Sequence, residues 1–442
     1  MSSAAGRRRG LLALVGPGVL VAATGVGAGD LATAGFAGAK LGVAVAWAVL
    51  LGAAVKYVLS ENLARWQLGT GETVLEGAIT RLGWIAFAGF GIYLLPWSVF
   101  VGTALARACG VTVAALVPAT SPIPVVPMPA IWGAACSLLG LGLVWLGGFR
   151  LFERVMAVCV GVMVATTLLA AGLAGPELGP LIRGLLVPTI PDAASLGEAV
   201  SPGEPLRWTI ALLGGVGGTL TIIAYSYWMR ETGREDPEDL RTCRLDLAAG
   251  YGMTALFGVA MLVVASGVGA GTSGRGVGLV VGLADAVGGS VAGAFGEAAG
   301  RVGRTAFLLG TFAAVFSSLL GVWQVVPLIF ADWWGQRHRV GIGGPARPRA
   351  VDPRSAPARG FLVWIALAAL PGLLPFVSFA AVQQWYGYVG ALFIPGLALT
   401  LLRLNGRGGG LPDALRNRWS QSLLLGVASL AVIGLAAWDI LG

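Results

Sequence analysis

The residues of this chain that could do chemistry lie inside long apolar segments. Residues 16–33 read GPGVLVAATGVGAGDLAT, with five glycines and the carboxylate of Asp30. Glycine weakens a helix by about 1 kcal/mol relative to alanine, and an ionisable group or unwound backbone at membrane depth normally faces protein or a cavity. The run therefore predicts a break at residues 24–30 in a discontinuous helix, with amides and carbonyls exposed to hold an ion. A glycine-rich packing face with Asp30 as an N-cap is the alternative.

A second run has the same character. Residues 211–230 read ALLGGVGGTLTIIAYSYWMR, with four glycines followed by Thr219 and Thr221. Two interrupted helices at matching positions of two halves indicate a transporter built from an inverted repeat, with its site near the membrane midplane. Coincidence in a chain with 70 glycines is the alternative.

The two breaks supply the candidate site. The residues predicted to bind a substrate or an ion are Thr24, Gly25, Gly27, Gly29, Asp30, Thr33, Gly218, Thr219, Thr221 and Tyr225. Asp30 is the candidate metal ligand, for Na⁺ or Mg²⁺. Tyr225 follows the second break and is interpreted as a gate or as an aromatic belt residue.

Three polar residues of other apolar segments are further candidates. Lys56 lies in the middle of the second segment, where it could line an anion path, pair with Glu61 or Asp30, or snorkel towards water. Ser317 and Ser318 offer hydroxyl oxygens to a Na⁺ ion, or pack as small residues at a helix interface.

The composition is that of an integral membrane protein. Of the 442 residues, 56% are hydrophobic and 11% charged, and the mean hydropathy is +0.82. The net charge of +8 is interpreted from the positions of the arginines relative to the apolar segments, and not as a sign of nucleic-acid binding. The sequence has one histidine, His338, in a basic loop, so a metal site built from histidines is not expected. The four cysteines are expected to pack as apolar residues; they are Cys109, Cys136, Cys159 and Cys243.

Eleven apolar runs are long enough to span a bilayer. They lie at about 11–38, 43–64, 83–107, 129–148, 151–174, 207–229, 247–269, 303–330, 360–379, 385–403 and 420–441. Arginine-rich loops alternate with outer loops at 109–128, 175–206 and 270–302, which places the N-terminus in the cytoplasm and the C-terminus outside. The predicted divisions are a cytoplasmic N-terminus 1–10, a first repeat 11–174, an external loop 175–206, a second repeat 207–403, and an inner loop with the eleventh span 404–442.

Five stretches, read in order, carry a recognisable pattern. They are GPGVLVAATGVGAGDLATAGFAGAKLG, AWAVLLGAAVKYVLSENLARWQLGTGETVLEGA, FRLFERVM at 149–156, GLLVPTIP at 184–191 and FIPGLALTLLRLNGR at 393–407. Together they resemble the Nramp family of divalent-metal transporters. The resemblance implies an all-α membrane protein of the leucine-transporter type: a 5+5 inverted repeat with discontinuous helices 1 and 6, eleven spans, and alternating access to a site between those two helices.

The family's functional residues are not matched one by one. Its helix-one motif, Asp-Pro-Gly-Asn, aligns with Gly-Ala-Gly-Asp at 27–30, and its helix-six motif, Met-Pro-His, aligns with Thr-Ile-Ile at 221–223. The soft thioether that suits transition metals is therefore absent. The family's third helix carries carboxylates associated with proton movement, whereas residues 83–106 contain no acidic residue. The resemblance thus implies a carrier without the usual metal and proton-relay groups.

Two substrates fit such a site, and both stay open. A small oxyanion such as bicarbonate, the leading expectation, would bind backbone N–H groups and hydroxyls, because half-helix N-termini favour anions. Asp30 and Thr33 would then hold a coupling Na⁺. A hard divalent cation, Mg²⁺ ahead of Mn²⁺, would instead use Asp30, Thr24, Thr221 and backbone carbonyls, with or without coupling.

Other classes of function are less compatible with the residues. A membrane enzyme would need clustered histidines, cysteines or carboxylates in the bilayer, so neither a catalytic residue nor a resident cofactor is expected. A channel or uncoupled pathway through the same fold is the nearer alternative. The expected partners are a small inorganic ion and the lipid bilayer, without nucleic acid. The chain is expected to be monomeric and to lie in a bacterial inner membrane.

Overall fold

The structure is a computed structural model that describes residues 16–117, 121–123, 126–175, 177–196, 200–267, 277–340, 351–370, 379–427 and 430; side chains of residues 28–32, 277 and part of 379–391 lie outside the description. Its regular secondary structure in these ranges is helical. The α-helices are α1 Pro17–Gly25, α2 Ala28–Leu41, α3 Ala46–Thr70, α4 Val74–Leu82, α5 Trp84–Leu116, α6 Met128–Leu173, α7 Leu178–Leu186, α8 Glu204–Gly215, α9 Ala224–Glu231, α10 Leu240–Ser266, α11 Val277–Phe295, α12 Glu297–Gly335, α13 Ala356–Ala368 and α14 Phe379–Leu404.

The first glycine-rich run is an interrupted helix, as predicted. Pro17 begins α1, where its fixed φ suits a helix and its missing N–H costs no hydrogen bond. The chain leaves the helix at Val26 and Gly27, which has φ −150° and ψ −138°, and α2 resumes at Ala28. The break is therefore confirmed but is narrower than the predicted 24–30, because residues 28–30 are already helical.

The second run is interrupted as well. After α8 ends at Gly215, Gly217 and Gly218 both adopt φ of +82°, a left-handed conformation that only glycine adopts without strain. A 3₁₀ turn at Leu220–Ile223 then leads into α9. Helices 1 and 6 of the predicted repeat are thus both discontinuous.

The two interrupted helices run antiparallel. α1 packs against α9, whereas α2 packs against α8, so the first half of each lies beside the second half of the other. α12 packs against α1, α5, α6 and α9 and lies at the centre of the molecule. In its most apolar stretch of 18 residues 94% of the residues are buried, compared with 33% in the corresponding stretch of α6. The breaks therefore lie beside the most buried helix.

Several predicted boundaries differ from the structure. The fourth and fifth predicted spans both lie in α6, which the non-helical backbone of Gly148, with φ of +63°, divides at the predicted boundary. The predicted outer loop 270–302 contains α11, because an apolar run rich in glycine and alanine forms a helix when it can pack on α12. The eleventh predicted span, 420–441, lies largely outside the described residues, which are helical at 419–427.

The count of eleven spans is not confirmed. Among the described residues, seven helices are long and apolar enough to cross a membrane, and two shorter apolar helices lie at Ala356–Ala368 and Leu392–Leu404. The chain is an integral membrane protein by this measure, with its core formed by helix-on-helix packing.

A carboxylate holds the start of α1 against its neighbours. Asp246 of α10 accepts hydrogen bonds from the Gly18 backbone N–H at 2.7 Å and from the Arg234 guanidinium at 2.6 Å, and the Tyr225 hydroxyl lies 3.4 Å away. A helix N-terminus favours a negative charge, and α1 has no cap of its own. Asp246, Arg234 and Tyr225 together with the start of α1 are called the α1 latch below.

Replacing the latch carboxylate should lower stability more than replacing an exposed one. Asp246→Ala leaves the α1 amide and the Arg234 guanidinium without their acceptor, and hydrogen bonds to charged groups contribute about 1.5–3 kcal/mol. Asp413→Ala is the control, because the ion pair of Asp413 with Arg416 is exposed and such pairs contribute about 0–1 kcal/mol. Thermal unfolding in detergent should show a clearly larger drop for Asp246→Ala; equal drops would contradict the latch.

Candidate functional site

The two breaks touch each other through their glycines. A methyl group on Gly25 would lie 2.7 Å from the Gly218 backbone nitrogen, and one on Gly218 would lie 3.0 Å from Gly25 Cα. Side chains at these positions would drive the main chains apart. Glycine is therefore required here to bring the ends of four half-helices to one point, at a depth where the surroundings are fully buried.

Hydroxyls of α12 satisfy the carbonyls at the end of α1. Ser318 Oγ donates to Val26 O at 3.0 Å and to Ala23 O at 3.2 Å, and Ser317 Oγ lies 3.4 Å from the same Ala23 oxygen. The last turn of a helix leaves carbonyls without backbone partners. Ser318 therefore holds the end of α1 in place, whereas the shorter hydrogen bond of Ser317, at 2.9 Å, goes to Ala314 O within α12.

The end of α8 is satisfied by a buried cation. Lys56 of α3 is 1% exposed, and its Nζ donates to Gly214 O at 2.7 Å and to Val216 O. The predicted pairing with Glu61 is not formed, because Glu61 accepts from Arg65 at 2.9 Å and from Arg244 at 2.8 Å. Lys56 thus belongs to the second break.

Two hydroxyls of the second break have no hydrogen-bond partner in the structure. Thr219 and Thr221 are 6% and 3% exposed, and the Oγ1 atoms of both are buried without a partner. A methyl group on Gly218 would lie against Thr221 Oγ1, so this hydroxyl faces the contact between the breaks. Buried polar atoms without a protein partner call for an explanation, and a bound water or ion is one that suits a hydroxyl.

The remaining predicted site residues surround the same contact. Thr24 donates to Leu20 O at 2.8 Å and is satisfied within α1, and Gly27 packs against Ser318. Thr33 of α2 lies beside Gly215, because a methyl group on Gly215 would lie 3.3 Å from the Thr33 side chain. Gly29 and Asp30 lie in the first turn of α2, and their side-chain positions fall outside the described residues.

Tyr225 lies away from this contact. Its hydroxyl points to Cys243 O and Asp246 in the α1 latch, both at 3.4 Å. Tyr225 therefore belongs to the α1 latch and not to the group of oxygens at the breaks.

A buried polar cluster beside α9 escaped the sequence analysis. Asp332 of α12 accepts from Tyr227 Oη at 2.7 Å and from Thr73 Oγ1 at 3.1 Å, while Glu76 accepts from Arg230 at 2.9 Å. Burial and the neighbouring charge of Asp332 raise the pKa of Glu76, which lies in the short helix α4. The charged run at 230–239, which includes Arg230, is typical of a solvated loop, and the only signal of the cluster in the sequence is the Thr-x-x-Glu capping box at Thr73.

The oxygens at the breaks suit a hard ion. Among the described residues there is no group of three or more histidines, cysteines or carboxylates that could hold a metal. The donors that face the contact are hydroxyls and main-chain groups, with Asp30 close by in sequence. Oxygen ligands suit Mg²⁺, Ca²⁺ or Mn²⁺ rather than a soft transition metal.

Solved structures share the fold of this chain. The manganese transporter of Eremococcus coleocola, crystallised with an aromatic bis-isothiourea compound, superposes with a TM-score of 0.68 at 18% identity, over 100% of this chain and 88% of that one. MhsT in complex with L-phenylalanine gives a TM-score of 0.55 at 18% identity, over 95% of this chain and 98% of that one. At such identities the likeness shows the fold, and the predicted leucine-transporter-type fold is confirmed.

Sequence comparison then gives the family. The family described as natural resistance-associated macrophage protein-like, Nramp, matches residues 18–442, and the chain belongs to this family. The proteins of this family are transporters and not enzymes.

Curated relatives match part of the chain. The divalent metal cation transporter MntH of Burkholderia ambifaria is 28% identical over 272 residues, which cover 59% of this chain and 57% of the relative. MntH of Chromohalobacter salexigens is 26% identical over 273 residues, covering 59% and 58%. The matched region thus spans less than two thirds of the length of these relatives.

The contact between the breaks gives a direct test. Gly25→Ala forces a methyl group against Gly218, and such overpacking costs about 1–3 kcal/mol. Gly89→Ala is the control, because a methyl group there meets nothing within 4 Å and alanine suits the interior of α5. Thermal unfolding should show a drop for Gly25→Ala and none for Gly89→Ala; an unchanged Gly25→Ala midpoint would mean that the breaks do not touch.

Proposed function

We propose that this chain is a secondary transporter that carries a hard divalent cation, Mg²⁺ ahead of Mn²⁺, through the contact between the two helix breaks. The observation that carries the proposal is a pair of buried hydroxyls of the second break that lack partners, Thr221 where the breaks meet and Thr219 beside Gly390 of α14. A buried hydroxyl without a hydrogen-bond partner destabilises the protein by its desolvation free energy. A ligand that binds the hydroxyl oxygen or accepts its proton in a hydrogen bond would offset this loss.

The cation is supported by the kind of donors and by the relatives. Hydroxyls, main-chain carbonyls and one carboxylate at Asp30 are oxygen ligands, and Mg²⁺ retains several of its waters, so few protein ligands suffice. The curated relatives are divalent metal cation transporters and the solved neighbour is a manganese transporter. Bicarbonate, the leading expectation from the sequence, has no such support from the comparisons.

The oxyanion remains a second candidate because of one observation. A threonine hydroxyl can donate as well as accept, so the hydroxyls of Thr219 and Thr221 also suit a small anion. In that case Na⁺ would be the coupling ion, held by Asp30 and Thr33. We retain this arrangement as the alternative against which the cation is tested.

Alternating access would use the α1 latch as one gate. The residues of α1 are buried throughout, and those of α9 are buried except at its last two positions, so the path from the breaks along these half-helices is closed. Opening it requires Asp246 to release the α1 amide or Arg234. With the N-terminus in the cytoplasm, as the arginine-rich loops predict, the latch is the cytoplasmic gate.

Uptake into liposomes decides between the two cargoes. Purified protein is reconstituted, and uptake of Mg²⁺, Mn²⁺ and labelled bicarbonate is measured with and without a Na⁺ gradient. We expect saturable uptake of Mg²⁺, weaker uptake of Mn²⁺ and none of bicarbonate. Bicarbonate uptake alone would contradict the proposal and support the oxyanion. Asp30→Ala should abolish transport of either cargo, and full activity in that variant would remove the proposed site.

The hydroxyls should matter for cargo and not for folding. Thr221→Val keeps the shape of the side chain but removes a buried oxygen without a partner, so stability should be unchanged or slightly higher. Mg²⁺ uptake should fall at least about tenfold, the factor that corresponds to 1.4 kcal/mol of lost binding. Thr400→Val, at a partly exposed position of α14, is the control and should transport normally. Normal uptake by Thr221→Val would exclude this hydroxyl as a ligand.

A further inference from the structure

Lys56 is buried where an ammonium group needs strong acceptors. It lies within the apolar helix segment Thr33–Thr70 and is one of the largest fully buried side chains of the described residues. A charged group at such depth is stabilised only by partners that compensate for lost water. The carbonyls of Gly214 and Val216 are two such partners.

These carbonyls are available because α8 ends there. The Gly218 N–H, which would bond Gly214 O in a continuing helix, instead lies 3.4 Å from Gly215 O. Carbonyls at a helix C-terminus carry partial negative charge. In transporters with interrupted helices, this kind of half-helix end coordinates a coupling cation.

The surroundings accommodate the lysine stem. Gly217 has φ of +82°, and a methyl group on it would lie 3.3 Å from both Lys56 Cδ and the Tyr251 ring. The Tyr251 hydroxyl is in turn hydrogen-bonded to Ser60 at 2.7 Å, one turn along α3 from Lys56. The stem is thus enclosed by a glycine of the break and a fixed aromatic ring, and its position is set by packing.

We propose that the Lys56 ammonium is a tethered cation that occupies a monovalent-cation site formed by the carbonyls of Gly214 and Val216. The side chain supplies permanently the positive charge that Na⁺, K⁺ or a primary ammonium ion would supply from solution. The wild-type second break therefore needs no dissolved monovalent cation at this position. Lys56→Ala vacates the site and makes the protein dependent on such a cation.

Thermal unfolding of the purified full chain tests this without any transport measurement. Wild type, Lys56→Ala and Lys56→Met are compared in chloride salts of Na⁺, K⁺, n-propylammonium and choline at constant ionic strength. We expect Lys56→Ala to be the least stable in choline and to gain at least about 3 °C, saturably, from a small cation or from n-propylammonium. Wild type should respond to these salts no more than to choline.

Two controls separate site occupancy from general salt effects. Lys56→Met fills the space of the stem without a charge, so it should be destabilised in every salt and not rescued. Lys40→Ala removes the other lysine, which pairs with Glu204 at a partly exposed position, and should show no saturable response. If Lys56→Ala does not yield monodisperse protein, Lys56→Gln, whose side chain is one atom shorter and leaves the position of the ammonium group empty, is used in its place.

The outcomes decide the proposal. A saturable gain confined to Lys56→Ala or Lys56→Gln supports it. A folded variant with equal midpoints in all salts, or an equal gain in Lys56→Met or wild type, overturns it. A second test, in liposomes, rests on the proposed function. Mg²⁺ uptake by Lys56→Ala should rise at least about tenfold when the cation that raised its unfolding midpoint is added. Absence of uptake in wild type would count against the proposed function alone, because the stability result stands by itself.

Discussion

The backbone that two helices release in the middle of an apolar bundle must find partners, and this requirement governs the structure around the site. No water is available at that depth to satisfy free amides and carbonyls. The chain meets the requirement with its own side chains: serine hydroxyls from α12 bind the carbonyls at the end of α1, and the Lys56 ammonium binds those at the end of α8. Carbonyls at each break are thereby satisfied by side chains of neighbouring helices.

The proposed cargo site lies where hydroxyls are left without partners. The Thr221 hydroxyl lies at the contact made of glycine main chain, the Thr219 side chain lies beside Gly390 of α14, and both hydroxyls lack partners. The fold therefore separates two tasks. Lys56 and Ser318 satisfy carbonyls at the breaks, and Thr219 and Thr221 are available for a ligand.

The sequence predicted the breaks well because a lipid-facing helix rarely combines a run of glycines with polar residues inside one apolar segment. Residues at both breaks, among them Gly25 and Thr221, were named from the sequence pattern alone. The predicted inverted repeat implied that the two interrupted helices run antiparallel. The roles of Lys56, Ser317 and Ser318 were not predictable, since each depends on which carbonyl lies close to the side chain in the folded protein. Helix α11 was missed because its glycines weaken the helix signal in the sequence until a neighbouring helix packs against it.

The buried cluster around Asp332 illustrates a second limit. Arg230 stands among seven charged residues between 230 and 239, a pattern typical of a solvated loop, yet its guanidinium binds Glu76, which is fully buried. The partner lies 154 residues earlier in the chain, and only tertiary structure brings the two together. Long-range ion pairs of this kind fix where α9 sits and so fix the geometry of the second break.

The central claim is that cargo binds between the two breaks, and anomalous diffraction from crystals grown with Mn²⁺ tests it most directly. The account predicts a manganese peak between Gly25 and Thr221, with the Thr221 hydroxyl among its ligands or bound to one of its waters. A protein that transports Mn²⁺ yet shows its manganese peak elsewhere, with Thr219 and Thr221 remote from it, would contradict the account.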